Sequence, residues 1–377
     1  MRGGYDTIGQ WLRANLFRSP LDGMLTVLVG LGLAWCLYGI ARWAVVDADW
    51  SIVSDNLRFL AVGTLPAHAN WHAEIVGGVM VLLAAHAATN GAYVGGRIPA
   101  ALLVGLALTI AGIAVPLRFL VWVGLGLAVI AVVIPRARRT FGQARLVTSL
   151  WAAGAIAVIA ALASTDLDLI GGLLLSLLLT TTTAIASLPL GILLALGRRS
   201  RNVLLRVLCS AYIELARSLP LLLVVYWIWL MLPLLVPGWH TADIVRAGTA
   251  FALFVSAYVA EYIRTGLEAV QRGQIEAAEA LGLRTTDINR YIVIPQALRT
   301  VFPALVGNVL EIFNAIPLLF IIGSVDLLRA GQIILSNPEY GANAMEMYLF
   351  VFIVYLAIGS TITALSRKIE RRAGRAR

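Results

Sequence analysis

The sequence is poor in charge. Only 13% of its 377 residues are Asp, Glu, Lys or Arg, whereas 60% are hydrophobic. Soluble globular domains carry about twice that charged fraction, so the composition excludes a soluble globular protein. Apolar segments of about 20 residues recur along the chain, which is the length that a helix needs to cross a bilayer. The sequence therefore predicts an all-α, polytopic membrane protein.

Lysine and cysteine are nearly absent. The single lysine, Lys368, lies in the C-terminal tail, and no glycine-rich segment ends in Gly-Lys-Ser/Thr, so the chain has no phosphate-binding loop of that type. Two cysteines, Cys36 and Cys209, imply no disulfide framework. His68 and His72 have a helical metal-ligand spacing, but the segment offers too few further ligands. We expect no metal site and no catalytic residue.

The net charge of +9 does not indicate a nucleic-acid partner, because the arginines are scattered between apolar spans. Such scattering is typical of residues that fix membrane topology. Residues 1–23 contain no small-residue cleavage site and predict an amphipathic helix along the cytoplasmic leaflet. Its apolar positions are Trp11, Leu12, Leu16 and Phe17.

About ten spans follow from the hydropathy pattern. We assign residues 24–165 to an N-terminal extra region of about five spans, 166–372 to a second transmembrane domain of five, and 373–377 to a basic tail. The predicted spans are 24–45, 71–94, 98–115, 117–134, 147–163, 169–197, 215–236, 244–270, 300–324 and 346–366.

The distribution of basic residues tests this count. With the N-terminus in the cytoplasm, all but five of the 29 Lys and Arg fall at cytoplasmic ends, as the positive-inside rule requires. One missed span would invert half of this bias. The pattern therefore predicts ten spans with both termini cytoplasmic. The five exceptions are Arg42, Arg58, Arg118, Arg246 and Arg329.

A charged island interrupts the apolar C-terminal half between Arg272 and Pro295. Residues 274–281 can form a short helix whose alanines, at 277, 278 and 280, let another surface approach closely. Glu276 and Glu279, one turn apart, give this helix a polar edge. Gly282 suits a left-handed stop, and Pro295 is expected to end a second short helix. The predicted docking residues are Gln274, Glu276, Ala277, Ala278, Gly282 and Pro295.

The spacing of this island resembles the cytoplasmic EAA loop of ABC-importer permease subunits. The resemblance rests on residues 276–278 (Glu-Ala-Ala), on Gly282 ahead of Ile292, and on Pro295 three residues later. It implies a coupling helix that sits in a groove on a dimer of ATP-hydrolysing subunits. ATP and Mg would then be bound by that partner, and this chain would carry no cofactor.

Further segments narrow the resemblance to the polar amino-acid branch of this family; they are residues 258–264 (Tyr-Val-Ala-Glu-Tyr-Ile-Arg), 272–274 and 295–299. The five C-terminal spans resemble the permease core of type I ABC importers. The long leading region is similar to the long subunits of general L-amino-acid and glutamate/glutamine/aspartate/asparagine transporters. These likenesses imply a bacterial inner-membrane location, a second permease chain, and a periplasmic amino-acid-binding protein. The departure of residues 314–318 from the family pattern favours a second chain that is non-identical.

Polar residues inside the predicted spans are candidates for the substrate pathway, because a charge at a helix centre costs about 2.5–3.5 kcal/mol on insertion scales. Asn308, Glu311 and Asn314 recur every third residue, which predicts one polar stripe. The stripe either contacts substrate or joins two subunits. Thr181 is a further candidate, although threonines in such helices also bond to their own backbone.

Where amino-acid permeases carry Lys-Asp-Thr-Ser-Leu, residues 314–318 read Asn-Ala-Ile-Pro-Leu, so the charged pair is missing and Pro317 is expected to interrupt the helix. The Glu261–Arg264 and Glu214–Arg217 spacings predict two intrahelical pairs that brace the helices near the coupling loop. The alternatives to an importer subunit are an ion- or proton-coupled secondary transporter, with Glu311 as the proton site, and a membrane scaffold.

Overall fold

The computed structural model describes Leu12 and residues 15–65, 167–236 and 241–374. These parts of the chain contain no β-strand, and a single isolated bridge joins Gly172 to Asp326. The α-helices are α1 (Pro20–Arg42), α2 (Ser51–Val62), α3 (Gly172–Arg198), α4 (Val203–Ser218), α5 (Leu221–Leu235), α6 (Asp243–Glu268), α7 (Arg272–Ala280), α8 (Thr285–Ile288), α9 (Ile294–Ala315), α10 (Leu327–Leu335) and α11 (Ala344–Gly374).

Five helical segments of the described residues are long and apolar enough to cross a membrane. They confirm the predicted all-α, polytopic class. The predicted spans 71–94, 98–115, 117–134 and 147–163 lie outside the described residues, as does most of the predicted amphipathic helix in 1–23. The five segments are Pro20–Asp47, Gly172–Arg198, Asp243–Glu268, Thr300–Ile322 and Pro338–Ala364.

The span predicted over 215–236 is not one continuous helix. The segment is instead a pair of helices, α4 and α5, that meet at an angle of 109°. The bend follows from Pro220, since a proline holds the preceding residue in extended conformation. Leu219 accordingly ends α4 with φ −94° and ψ 145°, and Pro220 caps the start of α5.

The chain divides into two compact units. The first contains 1–55 and 335–350, and includes α1, none of whose residues is buried. Within this unit, the backbone N–H of Asp49 donates to the buried carboxylate of Glu346 at 3.3 Å. The side-chain amide of Asn343 donates to the Asp49 carbonyl, so these polar groups connect the segment after α1 to the start of α11.

The second unit contains 56–334 and 351–377, and its core lies between α3 and α6, with α5 and α9 packed against them. Gly191 permits the close approach of α3 and α6. A Cβ atom on Gly191 would lie 2.5 Å from Val259 Cγ1 and 2.9 Å from the Ser256 carbonyl oxygen. Only a residue without a side chain fits there.

The interruption predicted at Pro317 is confirmed. Helix α9 ends at Ala315 and continues as the 3₁₀ segment Ile316–Ile322, which stops at the left-handed Gly323. Asp326, fully buried, then caps α10 by accepting from the N–H groups of Leu328 and Arg329 at 3.2 and 3.0 Å. Since buried carboxylates need donors, the hydroxyl of Tyr355 supplies a third at 3.1 Å.

Candidate functional site

Helix α7 is the short helix expected in the charged island, and its C-terminus is the left-handed stop predicted for Gly282. The N–H of Gly282 donates to the Glu279 carbonyl at 2.9 Å, and that of Leu283 donates to the Ala278 carbonyl at 3.2 Å. These two bonds form a Schellman motif. Gly282 has φ +75° and open space around its Cα, so backbone conformation rather than packing requires a glycine.

The two faces of α7 differ. Glu276, Ala277, Glu279 and Ala280 are exposed, whereas Ala278 is only 3% exposed. Our expectation that all three alanines face outward is therefore wrong for Ala278. Its side chain packs inside the loop's own small core, which is a cluster of buried residues comprising Val270, Ala278, Ile288, Val293 and Ala297.

The loop is also attached to the helix that follows it. The side-chain amide of Gln296 donates to Gln274 Oε1, so Gln274, a predicted docking residue, links α7 to α9. Pro295 does not end a short helix, as we expected, but stands in the first turn of α9. That turn tolerates proline because its N–H groups have no helical partner, and the π-helical segment Asn289–Val293 leads into it.

Exposed apolar side chains near α7, with Ile294 among them, were missed by sequence reasoning. Leu281 is 81% exposed, Tyr291 is also largely exposed, and Leu283 is less so. Apolar residues on a charged loop were a signal in the sequence, but neighbouring Ile288 and Val293 are buried. The pattern alone does not separate the two groups.

A cluster of charged side chains lies where α3, α4 and α6 meet. The carboxylate of Glu261, with a side chain 20% exposed, is paired with three arginines. Arg198 Nη1 lies 3.2 Å from Glu261 Oε2, and Arg217 Nη1 lies 3.6 Å from the same oxygen. Arg264 donates to Oε1 through Nε at 2.9 Å. One carboxylate therefore connects α3, α4 and α6 shortly before α7.

The predicted Glu261–Arg264 pair is formed, whereas the predicted Glu214–Arg217 pair is not. Arg217 pairs with Glu261 on α6, and Glu214 lies 3.7 Å from Arg198. Arg198 was missed as a member of the cluster, although its position at the end of a predicted span was a usable signal. Spacing within one helix does not reveal partners on another helix.

The three residues of the predicted polar stripe do not share one face. Asn308 is buried, whereas Glu311 and Asn314 are exposed. Three helical residues advance 300°, so the third member is turned about 120° from the first. Glu311 lies within electrostatic range of Tyr262 on α6. Thr181 is partly buried in α3, and its neighbours Thr180 and Thr182 donate to carbonyls one turn earlier.

The described residues contain no group of three or more His, Cys, Asp or Glu side chains that could hold a metal ion. His68 and His72 lie outside them.

Residues 187–375 match the family described as "binding-protein-dependent transport system inner membrane component". This match spans half of the chain and includes α7, Gly282 and the Glu261 cluster. The chain belongs to this family. It is thus a multi-pass, inner-membrane permease of the ABC type, a kind of subunit that is usually non-catalytic and that works with an ATPase and a substrate-binding protein.

Relatives extend the likeness to the N-terminal half. The permease is 31% identical over 417 aligned positions to the glutamate/glutamine/aspartate/asparagine transport system permease protein BztC of Rhodobacter capsulatus, covering 97% of this chain and 94% of that protein. It is 37% identical to the inner membrane amino-acid ABC transporter permease protein YhdY of Escherichia coli, over 54% of this chain and 55% of that protein.

A solved structure resembles about half of the permease. The permease resembles a chain in the crystal structure of an amino acid ABC transporter with histidines, with a TM-score of 0.50 and 32% identity. The likeness covers 53% of this permease and 92% of that chain.

Proposed function

We propose that the permease imports L-amino acids, either polar ones or those with acidic or amide side chains, and that α7 docks on a separate ATPase dimer. The observation that carries the proposal is the exposed face of α7. On the opposite face Ala278 packs into the core of the loop, and the helix is stopped at Gly282. The relatives named above support the substrate class, because their names specify amino acids.

ATP and Mg would be bound and ATP hydrolysed on that partner. A second, non-identical permease chain would complete the pathway, since residues 314–318 lack the charged pair and hydroxyls usual at this position. A periplasmic amino-acid-binding protein would deliver the substrate. Both termini would be cytoplasmic, with residues 24–165 as the extra region, 166–372 as the permease domain and 373–377 as the tail.

The mechanism follows alternating access. Closure of the ATPase dimer displaces α7, and the displacement passes to α6 and α9, between which α7 lies in the chain. Two contacts make this transfer stiff: the packing of Ala278 against Val293 and Ala297, and the bond between Gln274 and Gln296. Movement of α6 also displaces α3 and α4 through Glu261. Asn308, Glu311, Asn314 and Thr181 remain our candidates for pathway contacts.

The test is co-purification followed by uptake. A tag on this permease should recover an ATPase, a second permease and a binding protein, and vesicles containing the complex should accumulate amino acids only with ATP. Replacing the exposed Glu276 by arginine should leave membrane insertion intact and remove the ATPase from the purified complex. Glu339, exposed and far from α7 in sequence, is the matched control, and E339R should retain the ATPase.

Normal ATPase attachment in E276R would count against the docking role of α7. Amino-acid uptake by this chain without an ATPase would instead favour a secondary transporter. Normal uptake after deletion of residues 1–165 would show that the extra region is not needed for transport.

A further inference from the structure

Two buried nitrogen atoms on neighbouring side chains have no hydrogen-bond acceptor. Among the described residues, Arg246 Nε and Trp229 Nε1 are both enclosed and unpaired. The guanidinium carbon of Arg246 lies 5.8 Å from the centroid of the Trp229 ring, so the two side chains are in contact. Buried polar groups are normally satisfied, and a pair of unsatisfied ones on adjacent side chains indicates a missing acceptor.

The rest of the arginine is already engaged. Its Nη1 donates to the Trp229 carbonyl at 3.1 Å, and its Nη2 is paired with Asp243. The Arg246 side chain is only 16% exposed. Each terminal nitrogen of the guanidinium thus has a partner, on α5 or α6, and Nε is the nitrogen without one. A fixed donor loses little conformational entropy when an acceptor arrives.

The position within the permease is informative. Arg246 lies in the first turn of α6, and the coupling helix follows the last turn of α6. At 1.5 Å per residue, about 33 Å separate Arg246 from Glu268. The two donors are therefore at the end of α6 opposite to the coupling loop, where an importer first receives its substrate.

We propose that Arg246 Nε and Trp229 Nε1 bind the α-carboxylate of the incoming amino acid. The inference rests on the proposed function and deepens it. A carboxylate oxygen accepts hydrogen bonds from both an indole N–H and a guanidinium N–H, and bonds to ionised acceptors are the strong ones.

Both donors are enclosed in this conformation, so the carboxylate reaches them when α5 and α6 separate. Its arrival satisfies two N–H groups whose desolvation otherwise opposes the closed form. The site recognises a group that all amino acids share, and it leaves the choice of side chain to the binding protein.

The test uses the complete transporter in vesicles, supplied with its co-purified binding protein and labelled amino acid. Trp229→Phe removes the indole N–H and keeps an aromatic ring, and Arg246→Lys keeps the charge and loses Nε. Trp227→Phe, on the exposed side of α5, is the matched control. We expect W229F and R246K to lower uptake about tenfold, which is the size of one lost bond to a charged group.

The number of amino acids taken up per ATP hydrolysed should fall in W229F and stay normal in W227F. Uptake by W229F equal to that of W227F would overturn the proposal and would assign the two donors to an enclosed water. A parallel fall of uptake and hydrolysis, at an unchanged ratio, would overturn it in favour of a packing role. If the unmodified transporter accumulated no amino acid, the proposed function itself would fail, and this inference with it.

Discussion

Helices α1 and α6 both pass the length and hydropathy requirements for a membrane span, yet they differ in surroundings. The most apolar 18-residue window of the segment containing α1 has a mean hydropathy of 2.0, and none of it is buried. The corresponding window of α6 has a mean hydropathy of 1.4, and 61% of it is buried. The more polar helix is the enclosed one, which reverses the relation found in water-soluble proteins.

The reversal has a physical cause. Lipid solvates leucine and valine side chains as well as a protein core does, so an apolar span such as α1 gains little from burial. Helix α6 carries Glu261 and Arg264 near one end and Arg246 near the other. Charged groups in lipid are costly unless protein encloses and pairs them. Among the five candidate spans of the described residues, the least apolar one, α6, is therefore the most enclosed.

Substituting Gly191, the glycine of α3 that packs against α6, should have the largest effect. Gly191→Leu should lower stability by about 3 kcal/mol, the upper end for overpacking, because a Cβ there meets Val259 and a backbone oxygen of α6. Gly30→Leu in α1 is the matched control, since nothing lies within 4 Å of its added Cβ. Thermal unfolding of the purified complex, followed by size-exclusion chromatography, measures both.

Equal destabilisation by G191L and G30L would erase the difference between the enclosed and the exposed helix. It would mean that α1 is packed as tightly as α6.

Hydropathy allowed the class and four of the spans in the described part of the C-terminal half to be predicted, because each is an unbroken apolar segment. It failed at α4 and α5, where the decisive feature was local. Pro220 restricts Leu219, and the chain turns through 109°. Apolar composition is the same on both sides of such a bend, so a hydropathy average extends across it.

Removing the carboxylate of Glu261 should have the next largest effect. Glu261→Ala leaves Arg198, Arg217 and Arg264 without their shared partner, and breaking a fully buried pair costs 3–5 kcal/mol. Since the Glu261 side chain is 20% exposed, water screens part of the charge, and we expect about 2 kcal/mol. The matched control is Glu268→Ala, because the Glu268 side chain is exposed and pairs with Arg264. This change should alter stability by less than about 0.5 kcal/mol. Chemical denaturation of the detergent-solubilised complex distinguishes the two.

A similar loss in E268A would mean that the cluster acts as a diffuse surface network rather than through one central carboxylate.

The candidate site was predicted in part. The Schellman stop at Gly282 follows from local chemistry, because few residues other than glycine adopt φ +75° readily. The burial of Ala278 could not be predicted, since it depends on Ile288, Val293 and Ala297 folding back on α7. The unpaired donors of Arg246 and Trp229 depend likewise on two helices meeting. Tertiary contacts, not composition, decide which residues of a motif face a partner.

Substitution of Gly282 should have a smaller effect. The space around Gly282 is as open as that around Gly30, so an added side chain meets no neighbour, and only the left-handed backbone of Gly282 opposes the change. Gly282→Ala should destabilise the loop by about 1 kcal/mol, the cost of a left-handed alanine. Gly273→Ala, in α7 and also in open space, should stabilise the helix by about 0.5–1 kcal/mol. Hydrogen exchange of residues 272–283 reports both changes, and a fall in protection for G273A would show that its backbone is not helical.

The smallest effect should come from α1 itself. Leu31 is exposed on this helix, so Leu31→Val exchanges one lipid-solvated side chain for another. Stability should change by less than about 0.5 kcal/mol. The matched change is Ile312→Val in α9, where the side chain is buried and the lost methylene should cost about 1 kcal/mol. Thermal unfolding of the assembled complex compares the two variants. A loss for L31V as large as that for I312V would show that a partner covers α1 in the complete transporter, and α1 would then belong with α6 among the enclosed helices.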